Sequence, residues 1–191
     1  MAVRILVFAG SARMDSLNKK LARTAAEAVR AAGATGTFVD LGDYPMPLYD
    51  GDLETRAGVP ANARKLKDLF IAHQGLFIVS PENNASVSAL LKNTLDWISR
   101  QDGSESGLAP YQGKVAAIAG ASSGALGGLR GLTHLRAILQ TLRVLVLSEQ
   151  LALGRAHEAF GEDGSLKDAT QQAAIAALAK SLVEVSARLS A

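Results

Sequence analysis

The sequence predicts an α/β protein three layers deep, in which a five-stranded parallel sheet carries helices on both faces. Three observations lead there. Short, almost wholly apolar runs recur along the chain, as strands buried on both faces require. Stretches with helical spacing of apolar residues lie between these runs, and that alternation implies parallel strands joined by helical crossovers. The third is size: 191 residues, 48% hydrophobic and 20% charged, suit one core of this depth, so residues 1–191 read as a single domain.

Val3 to Ala9 is the first strand, and it stops abruptly at Gly10-Ser11. Leu17, Leu21, Ala25, Ala28, Val29 and Ala32 then share one helical face. Thr35 to Leu41 is a weaker strand signal. After an irregular stretch from Gly42 to Pro60, Leu66, Leu69 and Phe70 mark the next helix. Gly75 to Ser80 is a strand ended by Pro81, Ser86 to Arg100 reads as one helix, and Lys114 to Ala119 is a strand ended by Gly120. Leu129 to Leu142 is helical, Arg143 to Leu147 is the last strand, and Asp168 to Leu189 closes the chain as a helix. Gln101 to Pro110 is the second irregular stretch. Long loops in compact domains often rim a site.

Composition removes several chemistries. With no cysteine, thiol nucleophiles, redox pairs, Cys-ligated zinc and iron–sulfur clusters are excluded. Twenty basic against eighteen acidic residues give +2, with the basic residues scattered, so no nucleic-acid footprint is expected. His73, His134 and His157 are far apart and form no metal constellation. The amino-terminal apolar run is too short for a signal segment or a membrane span, and a cytoplasmic location is expected.

Ligands of open parallel sheets bind beyond the carboxyl ends of the strands, where the strand order reverses. That selects the loops after strands one, three and four. The first, Gly10 to Asn18, packs a strand end, a tight turn and a helix N-terminus into nine residues. Free helix amides and the positive end of the dipole favour an anion. Ser11, Ser16 and Asn18 add side-chain donors, and Arg13 adds a fork-shaped cation suited to phosphate oxygens. The loop lacks both the dinucleotide fingerprint and the Walker lysine, so a monophosphate fits it best. A turn with a Ser16 cap would explain Gly10 and Ser16 but leaves Arg13 and Asn18 without a role.

The second loop, Pro81 to Ser86, offers Glu82, Asn83 and Asn84 as donors and acceptors for the edge of a planar heterocycle, with Asn84 or Ser86 also available as a helix cap. Asn84-Ala85-Ser86 is a formal glycosylation sequon, discounted without a secretion signal. The third loop, Gly120 to Gly128, combines close-approach glycines, Gly124 among them, with Ser122 and Ser123. It also matches Gly-x-Ser-x-Gly, and Ser122, Glu149 and His157 follow the chain order of an α/β-hydrolase triad. That rival gives Arg13 and its loop no purpose.

Taken together, Gly10-Ser11-x-Arg13-x-x-Ser16-x-Asn18-x-x-Leu21, Pro81-Glu82-x-Asn84-x-Ser86 and Leu91-Lys92-Asn93-x-x-Asp96-Trp97 resemble the NAD(P)H-dependent FMN reductase family of flavodoxin-like proteins. Asp43 to Asp50, the Ser122 to Gly128 loop and Phe160-x-x-Asp163-Gly164 extend the resemblance over nearly the whole chain. It implies a flavodoxin-like sandwich with strand order 2-1-3-4-5 and a non-covalent FMN. The phosphate is then expected on Ser11, Arg13, Ser16 and Asn18 with backbone contact at Leu17, the ring against Pro81, Glu82, Asn83 and Asn84, and its pyrimidine side at Ser122 and Gly124. Such proteins pass a hydride from NAD(P)H through flavin N5 to quinones, free flavins, azo dyes or chromate, so no catalytic side chain is demanded. A flavodoxin-type electron carrier is the alternative within the same fold. Where the family usually has tyrosine between the Glu and the Asn, this chain has Asn83, which removes an aromatic wall. The apolar surplus of Leu90, Leu91, Leu95, Trp97 and Ile98, together with the family likeness, leads us to expect a homodimer or homotetramer.

Overall fold

The computed structural model describes residues 2–190. Five parallel strands form the sheet: β1 (Arg4–Ala9), β2 (Thr35–Asp40), β3 (Gly75–Val79), β6 (Val115–Ala121) and β7 (Leu145–Leu153), in the order β2-β1-β3-β6-β7. Counted along the sheet this is 2-1-3-4-5, as expected. The order reverses between β1 and β3, whose register pairs Ala9 with Val79 at the carboxyl ends. The helices are α1 (Leu17–Ala31), α2 (Gly51–Ala57), α3 (Ala61–Ala72), α4 (Ala89–Ile98), α5 (Leu129–Thr141), α6 (Ala156–Ala159) and α7 (Ala169–Leu189). A two-stranded hairpin, β4 (Glu82–Asn83) with β5 (Ser86–Val87), stands outside the sheet.

Strand alternation divides the core in two. Ile5, Val7 and Ala9 pack with Phe77, Val79 and the apolar faces of α1 and α7, among them Leu21, Ala25, Ile175 and Leu182. Leu6, Phe8, Leu76 and Ile78 turn the other way, onto Leu66, Phe70, Leu95 and Leu135 of α3, α4 and α5. The central strands β1, β3 and β6 are buried on both faces, which explains their unbroken apolar sequence.

Three departures from the sequence reading have physical causes. The segment expected to be a helix from Ser86 onward first forms the hairpin, whose two-residue turn places Asn84 at φ 50° and Ala85 at φ 62°. Both values suit the turn that matches strand twist, and Asn tolerates them well. The helix then starts at Ala89 under a Ser88 cap that accepts the Leu91 amide. The last strand starts later and runs much further than Arg143–Leu147, because Arg143 sits in the left-handed turn after α5 and β7 continues through Ser148-Glu149-Gln150. An edge strand is half solvated, so it carries no unbroken apolar run. Finally, the stretch Gly42 to Pro60 contains a 3-10 turn at Leu41–Asp43 and helix α2, capped by Asp50 through the Asp52 and Leu53 amides.

Ala85 lacks the freedom of glycine at a left-handed position. Ala85→Gly is expected to raise stability by about 0.5–1 kcal/mol, after allowing for the extra freedom it gives the unfolded chain. Thermal denaturation checks this, and an unchanged or lowered midpoint would contradict it.

The amino end of the sheet holds a buried cation. Lys114 is 7% exposed, and its ammonium donates to the His73 carbonyl. Burial lowers its pKa from 10.5 to about 8. Between those two values the unfolded chain binds the proton and the folded chain does not, so stability rises with pH across that window. Lys114→Met should therefore raise the melting temperature at pH 7, with the gain shrinking from pH 8 to 10.5. A gain independent of pH would break the account. His73 is also pushed down by burial, against the pull of the Leu69 carbonyl and with help from Arg4 and Lys114. Its contribution falls as pH drops below the ordinary imidazole value of 6.5.

Candidate functional site

The carboxyl ends of β1, β3 and β6 open into one cavity of about 550 Å³, a size suited to a cofactor. All three selected loops line it: Ser11, Arg13 and Ser16 from the first, Pro81 and Asn83 from the second, Ser122 and Ser123 from the third. Arg13 is the one charged side chain on its wall. Gly10 stands where α4 crosses the strand end, since a Cβ there would lie 2.9 Å from the Leu91 Cβ.

The first loop is built to present donors. Ser16 caps α1, its Oγ accepting the Lys19 amide at 3.3 Å. Ser11 Oγ accepts the Arg13 amide at 3.3 Å, and in the third loop Ser122 Oγ accepts the Gly124 amide at 3.2 Å. Each hydroxyl oxygen thus serves a local amide and keeps its own proton available to a ligand. The Leu17 and Asn18 amides, first in the helix, have no carbonyl four residues back to receive them. Among the described residues the exposed Arg13 guanidinium has no hydrogen-bond or ion-pair partner. The result is a donor-rich, carboxylate-free wall at the positive end of a 15-residue helix.

Not every expected residue points at the cavity. Asn18 lines it but is buried, with its amide group spanning both backbone groups of Ala121 at 2.9 Å each. Its side chain ties the first loop to the third, and its main-chain amide remains for a ligand. Glu82 does not line the cavity. Its carboxylate accepts the Arg130 and Gly131 amides at 3.0 and 3.1 Å and the Arg130 Nε at 2.8 Å. Burial raises its pKa, yet the hydrogen bonds from the Arg130 side chain and the two amides outweigh that and leave it below the ordinary carboxylate value. Asn84 sits at the hairpin tip, and Gly124 lies in the third loop off the lining.

Several contributors escaped the sequence reading. Ser88 donates to the Gly10 carbonyl at 2.6 Å and joins the first loop to α4. Its position three residues before Leu91 is a cap spacing that a reader of the sequence could have used. Lys19 is 6% exposed and bridges Asp40 Oδ2 at 2.7 Å and the Ala12 carbonyl at 3.2 Å, which pins the first loop to the end of β2. A lysine in an amphipathic helix normally reads as solvated, so no signal marked it. Leu90 supplies an apolar part of the wall.

The hydrolase arrangement does not assemble. His157 pairs with Glu158 at 3.2 Å, and among the described residues no hydrogen bond joins Ser122 to His157 or Glu149. The apolar surplus of α4 is also absorbed within the chain: Leu91, Leu95, Trp97 and Ile98 are buried. Trp97 lies against Tyr49 with ring centroids 5.0 Å apart, and its Nε1–H donates to the Pro47 carbonyl.

Comparison with known proteins gives a consistent result. The model of the family described as NADPH-dependent FMN reductase matches residues 3–158. The chain is 38% identical over 149 residues to a 2-hydroxy-1,4-benzoquinone reductase of a Burkholderia species, covering 78% of this chain and 76% of that one. It is 34% identical over 152 residues to the quinone reductase of Escherichia coli K12, covering 80% and 77%. Among solved structures it resembles FerB, a flavoenzyme NAD(P)H:(acceptor) oxidoreductase from Paracoccus denitrificans, with a TM-score of 0.83, 26% identity and 98% of each chain covered.

Proposed function

Because the chain belongs to the NADPH-dependent FMN reductase family, we propose that it is an FMN-dependent oxidoreductase passing a hydride from NAD(P)H to a small quinone-type acceptor. The observation that carries the reading is the cavity where three loops meet, with Arg13 its one charged side chain and a helix N-terminus beside it. FMN fits these residues, because its phosphate is the anion such a wall accepts.

In this reading Ser11, Ser16 and Arg13 hold the phosphate together with the Leu17 and Asn18 amides. Pro81 and Asn83, with the main chain of Glu82 and Asn84, would hold the ring, and Ser122 and Gly124 would meet it from the third loop. When bound, FMN supplies the hydride chemistry that no side chain here provides. The residues would bind it and fix its orientation toward a nicotinamide and then an acceptor. Leu90 and Pro81 exclude water from the apolar part. Asn83, small and polar, leaves room beside the ring, and supports acceptors of moderate bulk. A cytoplasmic homodimer or homotetramer belongs to the same proposal. Met14, 94% exposed on the first loop, and Leu48, 77% exposed, are among the apolar side chains available to a second copy. Among the described residues no helix is long and apolar enough to cross a membrane.

The test is an absorption spectrum of the purified protein after incubation with FMN, followed by anaerobic mixing with NADPH and NADH. Bound yellow flavin that bleaches rapidly is the expected result. Protein that stays colourless would refute the reading, and flavin that binds but is not reduced would point to an electron carrier.

A further inference from the structure

The three loops of the site are tied to one another by side chains. Ser88 links the first to α4 and so to the second, Asn18 links the first to the third, and the second is fastened to α5, which follows the third, by Ser86, whose Oγ lies 2.9 Å from His134 Nδ1, and by Glu82. The last of these is the most specialised. The N-cap position of helix α5 is Gly128, which offers no capping side chain and sits at φ 91°. Its second and third amides, Arg130 and Gly131, are the ones a cap normally satisfies. They are satisfied instead by the Glu82 carboxylate, which arrives from 48 and 49 residues away and is held from its other side by the Arg130 guanidinium. Gly131 leaves space for the hairpin as a whole, since a Cβ there would lie 3.0 Å from the Ser86 carbonyl oxygen and 3.4 Å from the Glu82 Cβ and Cγ.

Neighbouring residues of a strand face opposite ways. With Glu82 fastened to α5 on one side of β4, Asn83 is delivered to the cavity on the other. The same fastening fixes the start of α5, and with it the chain leading back through Gly127 and Gly128 to Ser122. We propose that Glu82 is a positioning residue: by capping α5 from the hairpin it sets the relative placement of Asn83 and Ser122, and so shapes the side of the cavity that takes the ring. This rests on the FMN reading above, and it assigns Glu82 no contact with the flavin through its carboxylate.

FMN titration by fluorescence quenching, with the visible circular dichroism of bound flavin at saturation, tests it on four forms of the full chain. Wild-type protein that fails to bind FMN would count against the flavin reading itself. With wild type binding, Glu82→Ala is expected to weaken FMN about tenfold and to alter the dichroism. Glu82→Asp, which keeps the charge but is one methylene too short to serve both amides, should shift both readouts in the same direction. Glu82→Gln, which keeps an acceptor oxygen at full reach for the two amides but turns a donor toward the Arg130 guanidinium, should recover much of the wild-type dichroism and part of the affinity. If the Ala variant fails to fold, the Asp and Gln pair decides. Asp and Ala variants with wild-type affinity and dichroism, or a Gln variant no better than Asp, would overturn the proposal.

Discussion

Replacing Arg13 with alanine is expected to weaken FMN binding by about 1.5–3 kcal/mol, the range for a hydrogen bond to a charged group, or roughly 10- to 150-fold in Kd. Arg13 is the one charged side chain on the cavity wall, and among the described residues it is engaged by no carboxylate. Its removal therefore leaves no buried partner uncompensated, and the loss falls on the ligand alone. Arg13→Lys should restore only part of the affinity, because an ammonium cannot offer the two parallel donors of a guanidinium. The residue is exposed, so its contribution should shrink as salt is added. Titration of the apoprotein with FMN at low and high ionic strength measures all three effects. An Arg13→Ala variant with wild-type affinity would place the phosphate elsewhere.

Trp97→Ala should be the most damaging single change to stability. The side chain is fully buried, packs edge-on against Tyr49, and donates to the Pro47 carbonyl at 2.8 Å. Truncating a buried tryptophan costs about 3–5 kcal/mol. At roughly 2–4 °C per kcal/mol for a chain of this size, the melting temperature should fall by roughly 6–20 °C. The damage should not stay local. Asn93 holds the same strap, accepting the Tyr49 amide and donating to Pro47, while Arg100 pairs with Glu54 and stacks over Tyr49. Hydrogen exchange should therefore show the 47–54 segment opening first in the Ala variant. Trp97→Phe keeps most of the apolar volume and should lose about 1 kcal/mol for the missing donor. A Trp97→Ala variant melting within a degree of wild type would show that the strap does not depend on this ring.

The sequence made the central strands plain because their burial on both faces removes polar alternation, as in Ile5 to Ala9 and Leu76 to Val79. The same rule hid β7, where solvent on one side mixes Ser148, Glu149 and Gln150 into a strand. The hairpin was illegible for another reason: two residues per strand are too few to show a period, and its turn uses Asn-Ala where glycine usually announces one. At the site, the strand-turn-helix order of the first loop, with Ser16 as cap and Arg13 beside it, was readable because every part is local. The tethers made by Lys19, Ser88 and Glu82 were not. Their partners, Asp40, Gly10 and Arg130, lie 21, 78 and 48 residues away, and only the folded chain brings each pair together.

At β7 the register slips: Val146 pairs with Ala116 and Gln150 with Ile118, so residues 147–149 bulge opposite one. The guanidinium of Arg136 fills this irregular margin, donating to the Leu147 carbonyl at 2.7 Å and to Gln150 Oε1 at 3.0 Å. An intact row of free acceptors there would be a template for a passing extended peptide. The kink breaks that row and the cation occupies part of what remains. Fibre-like growth is thereby discouraged on this flank of the sheet.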